Sequence, residues 1–176
     1  MSALLHRSPT IPRQPRPATA PVAPVAPALD VSGLLALVTR IAVEPGRWRH
    51  LVRFDADERQ WARLPSPAGV DVWVLTWLPD QATELHDHGD STAAYTVLAG
   101  AVEEVRPTGP GRSLRTGRLV AGQTRWLPPH EIHDIIGAAD GPAVSLHAYS
   151  PPLTRMTWYD RHLTPVRSAV TSDPEG

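Results

Sequence analysis

The chain has 176 residues, with 17 Lys and Arg against 18 Asp and Glu and a formal net charge of −1. That balance offers no basic field for nucleic acid, and no apolar run approaches the roughly 18–20 residues of a membrane helix. There is no cysteine, so disulfides, thiolate ligands and cysteine nucleophiles are excluded, and any metal falls to His, Asp or Glu. Residues 1–16 mix charges and prolines where a signal peptide needs an apolar core, so a cytoplasmic protein is expected.

In chain order, residues 1–29 carry seven prolines and read as a disordered or semi-extended Pro/Ala-rich tail, because proline removes backbone donors and favours extended geometry. Asp30 or Ser32 can cap a short helix whose apolar stripe is Leu34, Leu35, Leu37, Val38 and Ile41, with Pro45-Gly46 ending it. A second short helix is expected over 47–54. Residues 70–78 (VDVWVLTWL) are β-branched and aromatic between turn residues, the pattern of a well-buried strand. Further strand-like pieces fall at 92–106, 112–120, 123–127, 132–136, 143–149 and 154–160, separated by Gly, Pro and Asp clusters. Short strands at this spacing predict a mainly β, antiparallel sandwich or barrel. The expected domain spans 30–165, with 166–176 a flexible C-terminal tail.

His86-Asp87-His88 supplies the chemistry. On a strand, side chains at i and i+2 share a face, so two imidazoles project together and Asp87 points away. A later strand adds His133, whose neighbours Ile132 and Ile135 are apolar. His130 is its rival, but it follows Pro128-Pro129 and belongs to a turn. A His-x-His pair on one strand with a single His on a later one is similar to the metal site of cupin barrels. The expected fold is therefore a small antiparallel β-barrel of the cupin or jelly-roll type with one or two N-terminal helices. Many cupins add a Glu four or five residues after the pair; here those positions hold Thr92 and Ala93. Glu103 and Glu104 lie too far along, past the turn at Gly100. The set is then three neutral imidazoles and no anion, with open positions on an octahedral ion. Ligand type alone leaves iron, zinc, nickel and copper open.

From about residue 63 to 159 the chain resembles the cysteine dioxygenase family, cupins using non-haem Fe(II). The motifs are His86-Asp87-His88-Gly89-Asp90-Ser91 and Ala143-Val144-Ser145-Leu146-His147-Ala148-Tyr149-Ser150-Pro151-Pro152. The resemblance implies Fe(II) on His86, His88 and His133. It also implies a small free thiol and O₂ as substrates, L-cysteine first, and a sulfinic acid product. Thiolate and amine would bind iron and O₂ would take the remaining position. Ser145, His147 and Tyr149 match a hydrogen-bonded row ending beside the metal, in which His147 orients the phenol and Tyr149 donates to bound oxygen or substrate. Arg63 matches the carboxylate-binding arginine, with Arg53 and Arg59 as rivals, and Trp61 falls on a commonly aromatic position of the substrate site. Relatives acting on 3-mercaptopropionate tend to have Gln at the position of Arg63, so that thiol is the alternative substrate. A non-catalytic or other metal-dependent cupin is the reading from a different class. Some members link a cysteine to the tyrosine; here that position is Ala93 and no link can form. The family has a cis peptide where Ser150-Pro151 lies, although trans is the commoner isomer for an X-Pro bond. No nucleic acid or membrane partner is expected, and the chain reads as a monomer, with a weak dimer the alternative.

Overall fold

Asp30 caps the first helix, α1 (Val31–Ala42), its carboxylate accepting from the Gly33 amide at 2.8 Å. The computed structural model describes residues 28–109 and 113–170. Nearly all of the expected N-terminal tail, and residues 171–176 of the C-terminal one, lie outside the described residues. The stripe of α1 behaves as its spacing requires: Leu34, Leu37, Val38 and Ile41 are buried, each burial favouring the fold by about 1.5–3 kcal/mol. The expected second helix is two single 3₁₀ turns, Pro45–Arg47 and Arg49–Leu51. Pro45 and Gly46 open that stretch and Trp48, at φ −129°, interrupts it, leaving no room for an α-helical ladder.

All named strand pairs are antiparallel. One sheet has five strands in the order β1 (Trp61–Leu64), β2 (Asp71–Trp77), β9 (Ala143–Ser150), β4 (Thr92–Ala99) and β7 (Thr124–Leu127). A second layer holds two three-stranded sheets. In one, β11 (Pro165–Val170), β10 (Arg155–Tyr159) and β3 (His86–Asp87) adjoin in that order. In the other the order is β6 (Ser113–Val120), β5 (Ala101–Thr108) and β8 (Asp134–Gly137). Single bridges, His86 to His133 and Ala82 to Ile136, stitch the two together. The sheets do not close into one continuous hydrogen-bonded ring.

The long central strands have both faces covered, which explains why apolar residues fall on both of their faces. Val72 and Val74 of β2, Ala94 of β4, and Val144, Leu146 and Ala148 of β9 pack against α1 in one cluster. The alternate residues, among them Leu75, Trp77, Ala93, Tyr95, Val97 and Tyr149, form a second cluster with Leu127 of β7 and with Val102, Leu119 and Ile135 of the other layer. Along β9, period two therefore sends Ser145, His147 and Tyr149 to the interior between the layers.

Two expectations are corrected, and one strand is added. The stretch 92–106 is two strands, because Gly100 at φ +69° turns the chain from one layer to the other. A side chain there would run into the Pro142 carbonyl. Residues 61–64 form an edge strand, β1, paired with β2 from Trp61 opposite Leu75 to Leu64 opposite Val72. Residues 166–170, expected to open a flexible tail, belong to β11, which pairs with β10 across a turn where Asp160 accepts the Thr164 amide at 2.9 Å.

Candidate metal centre and active site

His86 and His133 form a reciprocal backbone pair: His86 N–H donates to His133 O at 2.8 Å and His133 N–H to His86 O at 2.9 Å. This pairing sets two residues distant in sequence side by side on one face. His88, two residues past His86, joins them, and the ring centroids lie 4.8, 4.8 and 5.1 Å apart. All three side chains are buried, and one ring nitrogen from each falls within 4.8 Å of the others. His130 stands apart in its turn at φ +62°, with Nε2 3.2 Å from exposed Asp90. Asp87 points away, accepting from the Gly89 amide at 2.8 Å and the Tyr159 hydroxyl at 2.5 Å.

The donor set suits a metal. His86 Nδ1 lies 2.8 Å from the Glu84 carbonyl, which holds a proton on that nitrogen and leaves Nε2 bare. His86 Nε2 is 3.1 Å from His88 Nε2, matching the separation of about 3 Å that two nitrogens each near 2.1 Å from one ion would have. His133 Nε2 is buried and has no hydrogen-bond partner among the described residues, an expense that an ion at the centre of the triad would remove. Burial pushes His86 down to about 3, with His133 and Arg59 adding to the effect and the Glu84 carbonyl opposing it. Burial, then the neighbouring imidazoles, holds His88 well below the ordinary histidine range. Such rings are neutral and keep lone pairs for an ion.

The row on β9 lies beside the triad. Ser145 Oγ is 2.8 Å from His147 Nε2 and accepts from Trp77 Nε1–H at 2.8 Å. His147 stacks on Tyr95, 5.0 Å between centroids and 10° from parallel. Between His147 and Tyr149 there is a ring stack at 6.5 Å and no hydrogen bond, so the expected chain of bonds stops at His147. Burial raises the Tyr149 phenol, with Arg59 working against that, so it remains an O–H donor. Its ring is 4.9 Å from His88. Ala93 is the Cα partner of Tyr149 across β4 and β9. Ser150-Pro151 is cis.

A cavity of about 410 Å³ opens onto the triad, lined among others by Arg59, Trp61, Arg63, Trp73, Tyr149 and Met156. Trp61 and Trp73 pack as a tilted pair at 4.8 Å, with Trp61 at the exposed rim. Arg63 lines this cavity, but its guanidinium is engaged by buried Asp71, whose other oxygen accepts the Leu153 amide at 3.1 Å. Arg59 also lines it, half-buried, with its guanidinium 4.9 Å over the Trp77 ring. Among the described residues no carboxylate lies within ion-pair distance of Arg59. Arg53, the other rival, donates at 3.0 and 2.7 Å to the His50 and Val52 carbonyls and does not line the cavity.

Asp71 has no reading in the sequence, and Glu104, expected to lie too far along past Gly100, bears on the site through His133. Asp71 opens an apolar strand on the inward register of Trp73 and Leu75. Glu104 shares the inward register of Val102 on β5, and its Oε1 sits 3.2 Å from His133 Nδ1, both side chains buried. Burial would raise Glu104, but His133, Arg106 and Tyr95 together hold it below the usual carboxylate value. An acid in phase with buried apolar residues was the available signal in both cases. Glu104 is too distant in sequence to read as a neighbour of His133, and only the pairing of β5 with β8 brings them together.

Residues 25–162 match the family model described as cysteine dioxygenase type I. Cysteine dioxygenase type 1 of Danio rerio is 26% identical over 147 residues, covering 76% of this chain and 72% of that protein. The Bos taurus protein of the same name is 25% identical over 146 residues, covering 76% and 71%. Among solved structures, a conserved protein with a double-stranded β-helix domain from Klebsiella pneumoniae aligns with TM-score 0.51 and 20% identity, covering 58% of this chain and 85% of its own. TT1209 from Thermus thermophilus gives TM-score 0.51 and 21% identity, covering 59% and 93%. At these identities the structural likenesses speak for the fold, that of double-stranded β-helix or cupin proteins.

Proposed function

The chain belongs to the cysteine dioxygenase family, and from that premise we propose that it is an iron-dependent dioxygenase of a small thiol acid, L-cysteine foremost. The observation that carries this reading is the buried triad His86, His88 and His133, with an orphaned Nε2, facing a cavity that holds a phenol and an arginine without an ion pair. The reaction is R–SH plus O₂ to R–SO₂H, with both oxygen atoms ending on sulfur. Bound ferrous iron supplies the redox chemistry that lets thiol and O₂ combine.

The chain's own residues do the rest. His86, His88 and His133 would hold the ion, and as neutral ligands they would leave it its full charge. Ser145 fixes the His147 ring, and the stack of Tyr95 on His147 limits its rotation. Tyr149, beside His88, directs an O–H at the substrate or oxygen. A guanidinium meets the substrate carboxylate with charge-assisted bonds. Arg63 and Arg59 both reach the cavity, and among the described residues no carboxylate lies within ion-pair distance of Arg59, so we assign the substrate's carboxylate to Arg59, with Arg63 and Asp71 framing the wall. The tryptophans Trp61 and Trp73 narrow the mouth and keep water from the reacting atoms.

The test is oxygen uptake by Fe(II)-loaded protein with L-cysteine, with the sulfinate identified as product. Bound iron without thiol-dependent uptake refutes the reading. A large preference for 3-mercaptopropionate would keep the chemistry and change the substrate.

A further inference from the structure

We propose that Glu104 is the positioning residue of the metal centre, a buried carboxylate that holds His133 by its Nδ1–H and so presents Nε2 to the ion. The inference rests on the three-histidine metal site proposed above and concerns a residue outside it.

The geometry has three parts. Glu104 and His133 are both buried, at 4% and 1% exposure, and Glu104 Oε1 lies 3.2 Å from His133 Nδ1. A carboxylate so placed accepts a proton from Nδ1, which assigns the proton to that nitrogen and leaves Nε2 as a lone pair. Nε2 is the atom that has no protein partner. Bare Nε2 and engaged Nδ1 are the two halves of a carboxylate–histidine–metal arrangement.

The backbone supports the same role. Glu104 of β5 has Ile135 of β8 as its Cα partner, which makes His133, two residues before Ile135, its diagonal neighbour on the same face. Arg106 lies on the same face of β5 and donates to Glu131 at 2.7 Å, so it adds positive potential without taking the Glu104 carboxylate. Tyr95, whose ring stacks on His147, is buried with its hydroxyl on the Glu104 side. Two of the ligands are thus held differently: His86 by a neutral carbonyl, His133 by an anion. The centre has an anion after all, placed one hydrogen bond behind a ligand.

The experiment compares parent, Glu104→Gln and Glu104→Ala by metal titration, redox measurement and nitrogen-15 spectra of the histidine rings. In the metal-free parent at pH 8, His133 is expected as the Nδ1–H tautomer; an Nε2–H tautomer overturns the proposal. For Fe(II) or Co(II), Glu104→Ala is expected to weaken affinity about 10- to 100-fold, with Glu104→Gln between it and the parent. The Fe(III)/Fe(II) midpoint potential of Glu104→Gln is expected to rise, because an anion that favours the ferric ion has gone. A folded Glu104→Ala with affinity within about twofold of the parent, or an unmoved potential in Glu104→Gln, refutes the role. If the alanine variant fails to fold, the tautomer in the parent and the glutamine variant still decide. A parent that binds no metal refutes the functional reading instead, and the ring spectra of that metal-free protein then report separately on the Glu104–His133 bond.

Discussion

Replacing Arg59 by glutamine isolates the recognition of the substrate carboxylate. The guanidinium is half-buried, lines the cavity and sits 4.9 Å over Trp77. Hydrogen bonds to charged groups are worth about 1.5–3 kcal/mol. At about 1.4 kcal/mol per factor of ten, their loss lowers kcat/KM for L-cysteine about 10- to 150-fold. The control is cysteamine, which has the thiol and amine but no carboxylate. Oxygen uptake with both thiols therefore separates two causes, since the loss for cysteine should exceed the loss for cysteamine by that factor. Arg63→Gln should behave otherwise. Its partner Asp71 is buried and would lose its cation, so the wall of the cavity and the fold suffer for either thiol. Arg63 is itself 44% exposed, so the stability cost is modest, about 1–2 kcal/mol. Equal losses for cysteine and cysteamine in Arg59→Gln would refute the assignment. A cysteine-selective loss confined to Arg63→Gln would transfer the role to that residue.

Four further outcomes are expected. His86→Ala abolishes stoichiometric iron binding, checked by metal analysis; retained iron contradicts the ligand assignment. Tyr149→Phe keeps its iron and lowers kcat about 10²-fold, within the range for a lost proton donor, checked by steady-state oxygen uptake. Gly100→Ala lowers stability by about 2–4 kcal/mol, because φ +69° is strained for alanine and the new methyl runs into the Pro142 carbonyl; thermal unfolding measures it. The metal-free protein loses stability as pH falls below the ordinary histidine value of 6.5. His86 titrates near 3 when folded, and burial also holds His88 and His147 low. Between 6.5 and about 3 the unfolded chain binds more protons than the folded one, so stability rises with pH there, by up to about 1.4 kcal/mol per pH unit for each histidine. Denaturant midpoints across that window, flat with pH, would contradict the neutral, buried imidazoles.

Much of the architecture was legible because it rests on local periodicity. The stripe of Leu34, Leu37, Val38 and Ile41 marked α1, and the run VDVWVLTWL marked β2, since a strand covered on both faces is apolar on both faces rather than on alternate residues. Alternation alone put Ser145, His147 and Tyr149 on one face. Local pattern ran 92–106 together as one piece, because two strand-forming segments adjoin there, although it marked the turn at Gly100 that divides them. It failed at 166–170, where an exposed edge strand carries no apolar signature.

The sequence by itself determined the ligand types and their phase: no cysteine, histidines at i and i+2, and a later histidine bordered by apolar residues. These are properties of residue identity and of a two-residue repeat, so they need no fold. The tertiary structure decided what meets them. The reciprocal backbone pair of His86 with His133 closes the triad, and the β5–β8 pairing places Glu104 behind His133. The pairing of β1 with β2 sets Arg63 against Asp71, while Arg59 lines the same cavity from the preceding loop. Each depends on strand partners far apart in the chain, and register between such strands is set by packing of whole sheets rather than by any local pattern.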